Sequence, residues 1–190
     1  MSPPPRELLN SKENTLNIDW QQLRPVINIA DQTCFGCGID NPIGLHMRFV
    51  ADDEKLYARV RVPVTMAGWD TTVHGGILST ILDEMMGWSV IYLLGKIGVT
   101  KTMTVDFLKP VRAEQTLTAI GYIQEEISDR QIRVTGEIYS EEGVLSVRSS
   151  GLFAAMTAQA AVRLGVVSSD YMERFLPILQ QRSQGLSNPG

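Results

Sequence analysis

The chain has 190 residues, of which 44% are hydrophobic and 20% charged, with a formal net charge of -4. That length holds one domain with a full core plus extensions, and the acidic balance gives no general attraction to nucleic acid, whose phosphates need a basic face. Two cysteines cannot build a disulfide framework, and the first residues lack the basic start, apolar centre and cleavage site of a secretory signal, so a reducing, cytoplasmic setting is expected.

Residues 1–30 form a polar N-terminal extension that begins with Pro3-Pro4-Pro5 and is expected to strap over the domain. A short helix is the most that Trp20 to Leu23 suggests. The stretch from Cys34 to Gly44 is dense in Gly, Asn and Pro, which is turn chemistry. Its C-x-x-C invites a metal, yet zinc takes four ligands and only His46 and His74 could join the two sulfurs. A buried thiol turn leading into the first strand is therefore expected, with no metal.

From Leu45 the pattern turns to period 2. Leu45 to Val50 and Leu56 to Val62 alternate apolar and polar around the turn Asp52-Asp53-Glu54, which predicts a hairpin. Pro63 ends the second strand, and 64–72 reads as a loop. The run from Val73 to Leu94 then joins a small-residue turn to about 18 nearly all-apolar positions, enough for a core helix or a membrane span. Asp83 and Glu84 in its middle argue against lipid, where a charge costs at least about 2.5 kcal/mol. After Gly95 and Gly98, strand-like runs follow over 100–108, 115–123, 131–139 and 144–156, joined by short turns, and no helix interrupts them. They predict an antiparallel meander. The C-terminal extension, 157–190, opens a helix at Ser168-Ser169-Asp170. Its stripe of Tyr171, Met172, Phe175, Leu176 and Leu179 should pack on the domain or on a neighbouring subunit. Pro177 should kink or shorten it, with a frayed end from Ser183.

On the central helix, at about 100° per residue, Gly76, Ser79, Thr80, Asp83, Gly87 and Val90 share one side. Ile77, Leu78, Ile81, Leu82, Met85 and Trp88 take the other. Small residues beside one carboxylate leave a slot, either for a ligand or for close approach of another backbone. Glu84 falls at the slot's edge, where it is expected to reach solvent or a partner Lys or Arg. Gly75 and Gly76 open the helix, where free N–H groups and the helix dipole favour negative charge. An oxyanion formed there would gain about 3 to 4 kcal/mol from such a donor. His74 beside them could orient the turn or touch a ligand. Asp83 lies about 12 Å along the axis from Gly75, too far for both to meet one reacting carbon. If they cooperate, the acid of one subunit must face the helix start of another across a two-fold axis.

His74-Gly75-Gly76, Asp83, and the strand Thr104-Val105-Asp106-Phe107-Leu108-Lys109-Pro110 together resemble the hotdog-fold thioesterases, in particular the PaaI-type acyl-CoA branch. The likeness spans Cys34 to Met156 and includes CFGCGIDNPIGL, found in some bacterial members. It implies an α+β hotdog domain over 31–156, with a long central helix wrapped by an antiparallel sheet. It also implies Asp83 as base or nucleophile, Gly75 N–H as carbonyl donor from the opposing subunit, and a hydroxyl at Thr100, with Thr102 and Thr104 as alternatives on the same strand face. It further implies His74 among the catalytic residues and Gly76 and Thr102 among those that bind the substrate. Lys109 and Arg112 would meet the CoA phosphates, and Trp69 would either shape the acyl pocket or pack within the fold. Met86, Trp88 and Tyr92 divide the same way between pocket and core. Related enzymes often place Asn or Gln a few residues before the His-Gly-Gly, whereas this chain offers only Asp70, Thr71 and Thr72.

The expected activity is acyl-CoA thioester hydrolysis by a homodimer or homotetramer, without metal or redox cofactor, nucleic acid or membrane partner. A hotdog enoyl-CoA hydratase or dehydratase, which would use His74, and a non-catalytic acyl-CoA-binding module are the alternatives.

Overall fold

A computed structural model of the chain describes residues 16–184; the proline run at 3–5 and the end beyond Gln184 lie outside it. The elements are β1 (Arg24–Pro25), β2 (Val50–Ala51), β3 (Lys55–Arg61), β4 (Ala67–Trp69), β5 (Thr72–Val73), α1 (Gly75–Leu94), β6 (Ile97–Phe107), β7 (Thr116–Ser128), β8 (Gln131–Tyr139), β9 (Leu145–Met156), α2 (Ala158–Arg163) and α3 (Ser169–Gln184). Seven strands form one sheet in the order β1-β2-β3-β7-β8-β9-β6, with every neighbouring pair antiparallel.

The central helix forms where the apolar run predicts it. His74 caps its start, with Nδ1 accepting the Gly76 N–H at 2.9 Å, and Gly95 closes its end at φ 62° with its N–H bonded to Ile91 O. The helix is long and apolar enough to cross a membrane, with mean hydropathy 1.4. Its partners are protein: Ile81, Leu82, Met85, Met86 and Val90 are fully buried. Two sheet glycines permit that packing. A Cβ on Gly121 would lie 2.5 Å from Ser89 Oγ and 2.7 Å from Met85 O, and one on Gly136 3.0 Å from Leu82 Cδ2. The opposite side of α1 is covered by α3 and by the segment before β2, through Phe49, Trp88 and Phe175, whose rings lie 5.1 and 6.1 Å apart in sequence along that stack. Met86, Trp88 and Tyr92 are thus core residues. A helix wrapped by an antiparallel sheet is the hotdog arrangement.

Several local expectations are corrected. Trp20 to Leu23 forms a turn, not a helix. Leu45 to Phe49 is not a strand, because Leu45 N and Met47 N are bonded to Phe35 O and Gly36 O and His46 has φ 49°; only Val50–Ala51 pairs with β3. The expected loop 64–72 contains a 3-10 turn, Val64–Met66, and the β4–β5 ribbon. The strands after α1 are not a simple meander. β6 pairs with β9 at one edge, while β7 pairs with β3, so 108–115 crosses the end of the sheet. That crossing is fixed by Val73 N to Val111 O and Ala113 N to Thr71 O, at 2.9 and 2.8 Å. α3 runs through Pro177 to Gln184 without a break. It buries Met172, Phe175, Ile178 and Leu179, and that packing outweighs the one backbone bond a proline forfeits.

Candidate functional site

Asp83 stands half-buried on the small-residue side of α1, facing β6. Thr100 Oγ1 donates to its Oδ1 at 2.6 Å, a short, charge-assisted bond. Ser79 and Thr80 turn their hydroxyls back to Gly75 O and Gly76 O, at 2.9 and 3.0 Å, and leave the slot free of competing donors. A β-bulge decides which threonine meets the acid. Thr100 pairs with Phe153 and Thr102 with Leu152, so Lys101 is the extra residue. An extra residue reverses the alternation of side chains, which puts Thr102 and Thr104 on the face away from α1 and corrects the expectation that all three share a face.

At the helix start the two glycine N–H groups differ. That of Gly76 is taken by His74, whereas that of Gly75 has no partner among the described residues. A Cβ on Gly75 would touch the Phe107 ring at 3.3 Å. Around this end, Trp69 is 85% exposed, Phe107 55% and Leu108 52%. Trp69 therefore has no packing role within the described residues. Arg112 bridges to Thr72 and donates to Thr71 Oγ1 at 2.9 Å, and Lys109 lies exposed on the same crossing segment. The fold thus gathers Trp69, His74, Gly75, Gly76, Phe107, Lys109 and Arg112 at one end, and Asp83 with Thr100 two turns along the same helix.

Glu84 is the largest departure from the sequence reading. It is half-buried and meets no cation among the described residues. Its carboxylate lies 3.5 Å from Cys34 Sγ, and Oε1 accepts from Trp88 Nε1 at 3.1 Å. The cause is the covering segment 26–49, which lies over this side of α1 and which the helix pattern alone cannot reveal. Burial, then the neighbouring Cys34 sulfur, pushes the Glu84 carboxyl up to about 7. The Cys37 thiol and nearby backbone N–H groups pull Cys34 down to about 5 against its burial. The same bond to Cys34, with burial, pushes Cys37 up. The sequence signals were an acidic pair in an apolar run and, about 50 residues earlier, a C-x-x-C-G turn; what they lacked was their proximity.

Residues 70–147 match the family model described as the thioesterase superfamily. The matched segment runs from the β4–β5 turn through α1, β6, β7 and β8 into β9. Among solved structures this domain is similar to a thioesterase superfamily protein at 24% identity and TM-score 0.60, covering 64% of this chain and 60% of that one. It therefore spans less than two thirds of that protein's length. It is also similar to the Escherichia coli PaaI protein from the phenylacetic acid degradation operon, at 22% identity and TM-score 0.54, covering 58% of this chain and 83% of that one. A hypothetical thioesterase from Streptococcus pneumoniae TIGR4, solved with coenzyme A, aligns at 22% identity and TM-score 0.51 over 55% of this chain and 80% of that one. The pneumococcal protein has also been solved with a threonine or an aspartate replaced by alanine. At these identities the likeness establishes the shared hotdog fold. No functionally curated protein matches the chain.

Proposed function

We propose that this hotdog domain is a PaaI-type acyl-CoA thioesterase, whose sites form between two copies of the chain. The observation that carries the reading is the Asp83–Thr100 pair, 2.6 Å apart on the slot side of α1, together with the unpartnered Gly75 N–H at the start of the same helix. In the reaction, the thioester carbonyl rests against Gly75 N–H of one subunit while Asp83 of the other stands on its far side. Asp83 takes a proton from water as the water attacks, or attacks the carbonyl itself and is freed by water afterwards. In either case the charge that develops on oxygen is met by the Gly75 N–H, and the CoA thiolate leaves. Thr100 holds the carboxylate on one oxygen and keeps the other for the reaction. Lys109 and Arg112, exposed beside the helix start, supply the local cations that the acidic chain needs for CoA phosphates. Coenzyme A bound to the pneumococcal relative supports the same ligand here. Thioester hydrolysis in this scheme calls on no metal or redox cofactor.

His74 uses Nδ1 to cap the helix, which favours hydrolysis over hydration of an enoyl-CoA, the reading that needs a free catalytic histidine. The test is thiol release from a panel of acyl-CoA esters. Turnover by the wild type that Asp83→Ala abolishes supports the proposal, and equal rates from the two proteins reject it. Tight acyl-CoA binding without turnover would instead identify a binding module. A single turnover in ¹⁸O-water that leaves label in the Asp83 carboxylate identifies it as the nucleophile.

A further inference from the structure

We propose that Cys34, Cys37 and Glu84 form a structural divalent-metal site of the thiolate-rich kind that takes Zn²⁺, with the Gln32 amide oxygen as the nearest fourth donor. The three donor atoms lie within 4.8 Å of one another. Cys34 Sγ is 3.5 Å from Glu84 Oε1 and 3.6 Å from Oε2. A tetrahedral zinc with the usual Zn–S and Zn–O bond lengths sets its S···O edge at about 3.5 Å and its S···S edge at about 3.8 Å. The Cys34–Glu84 pair thus already stands at ligand spacing.

The surroundings are built for that arrangement. The C-x-x-C-G turn closes with Gly38 N bonded to Cys34 O at 2.9 Å. Backbone atoms leave no room for a side chain at Gly38, and Gly36 leaves space for the Glu84 carboxylate. A Cβ on Gly36 would lie 2.6 Å from Glu84 Cδ and Oε2, and one on Gly38 2.3 Å from Gln32 O. Trp88 Nε1 supports both ligand types, at 3.1 Å from Glu84 Oε1 and 3.4 Å from Cys37 Sγ. Gln32 Oε1 is 3.1 Å from Cys37 Sγ, while its Nε2 is held by Tyr171 Oη at 2.6 Å. Such oriented neighbours are the outer shell a metal site needs. A half-buried carboxylate beside two sulfurs has no cation among the described side chains to offset it, and a divalent ion would supply one. A disulfide would use the sulfurs alone and would leave unexplained why Gly36 makes room for Glu84. The metal would pin segment 26–49 to the middle of α1. It lies about 100° around the helix from Asp83, so it stands apart from the proposed reaction.

The test uses the full-length chain, purified under reductant without chelator and titrated with Co²⁺. The proposal expects about one equivalent bound, with thiolate-to-cobalt charge transfer and tetrahedral d–d bands, displacement by Zn²⁺, and a rise in Tm with Zn²⁺. Glu84→Gln should weaken Zn²⁺ binding by at least about tenfold, and Cys34→Ser should remove roughly half of the charge-transfer intensity. Absence of the charge-transfer band in the wild type overturns the proposal. So does Zn²⁺ affinity equal to that of Glu84→Gln, or a Cys34–Cys37 disulfide that forms in air regardless of Zn²⁺.

Discussion

Asp83 and Glu84 are neighbours in sequence, yet the fold gives them different fates: one keeps a hydroxyl partner at the slot, and the other is enclosed by sulfur and indole. The first is tested by Asp83→Asn, which should lower kcat by about 10² to 10⁴ while circular dichroism and Tm stay close to wild type. Thr100→Val removes a hydrogen bond to a charged group, worth about 1.5 to 3 kcal/mol. It should therefore lower kcat by roughly 10- to 100-fold, and a larger effect for Thr102→Val would contradict the placement of the bulge. Asp83 and its slot were legible from helical spacing, because one face of small residues around an acid is a pattern in a single element. Glu84 was not legible, because its environment is made by residues about 50 positions earlier. Choosing Thr100 among three threonines likewise depended on an unpaired Lys101, which alternation cannot reveal.

At the scale of elements, the contact between α1 and the sheet depends on glycine where the backbones approach. Gly121→Ala would place a methyl against Met85 O and Ser89 Oγ, and overpacking of this kind costs about 1 to 3 kcal/mol. Urea denaturation should show it as a lower midpoint with an unchanged m-value. The β2–β3 hairpin is held by Asp52, which accepts from Glu54 N, Lys55 N and Tyr57 Oη at 2.8, 2.7 and 2.8 Å. Burial alone would raise this carboxyl, but those donors outweigh it and hold it below the usual range. A depressed native pKa adds stability that is complete above the unfolded value, about 3.9, and fades as pH falls through the native one. Asp52→Asn should accordingly lower Tm at pH 7, with the difference closing as acid is added below about pH 3.9; a constant difference across pH would deny the carboxylate this role.

For the whole molecule, β6 is the edge of the seven-stranded sheet. An 11-residue edge presents unpaired backbone groups that invite another strand, and the exposed Trp69, Phe107 and Leu108 lie near its end. Both features suit the second subunit of the proposed site. Gly75→Pro isolates the donor, because proline suits the first helical position and His74 already has the extended backbone a following proline favours. Co-refolded with Asp83→Ala chains, it should yield mixed dimers with one intact site, and about a quarter of wild-type activity from two inactive parents. No recovery, with mixed dimers demonstrated by mass, would place both groups of a site on one chain.

The sequence by itself determined the central helix and its slot, the strand-forming runs of β3 and of β6 to β9, and the need for two chains if Gly75 and Asp83 share a substrate. All of these follow from local periodicity and the fixed rise of a helix. Only the tertiary structure decided the strand order, the choice of Thr100, and the enclosure of Glu84 by Cys34 and Cys37. Those depend on which distant segments lie together, through a crossing connection, a single-residue bulge and a covering segment, and none of the three leaves a periodic signal in the chain.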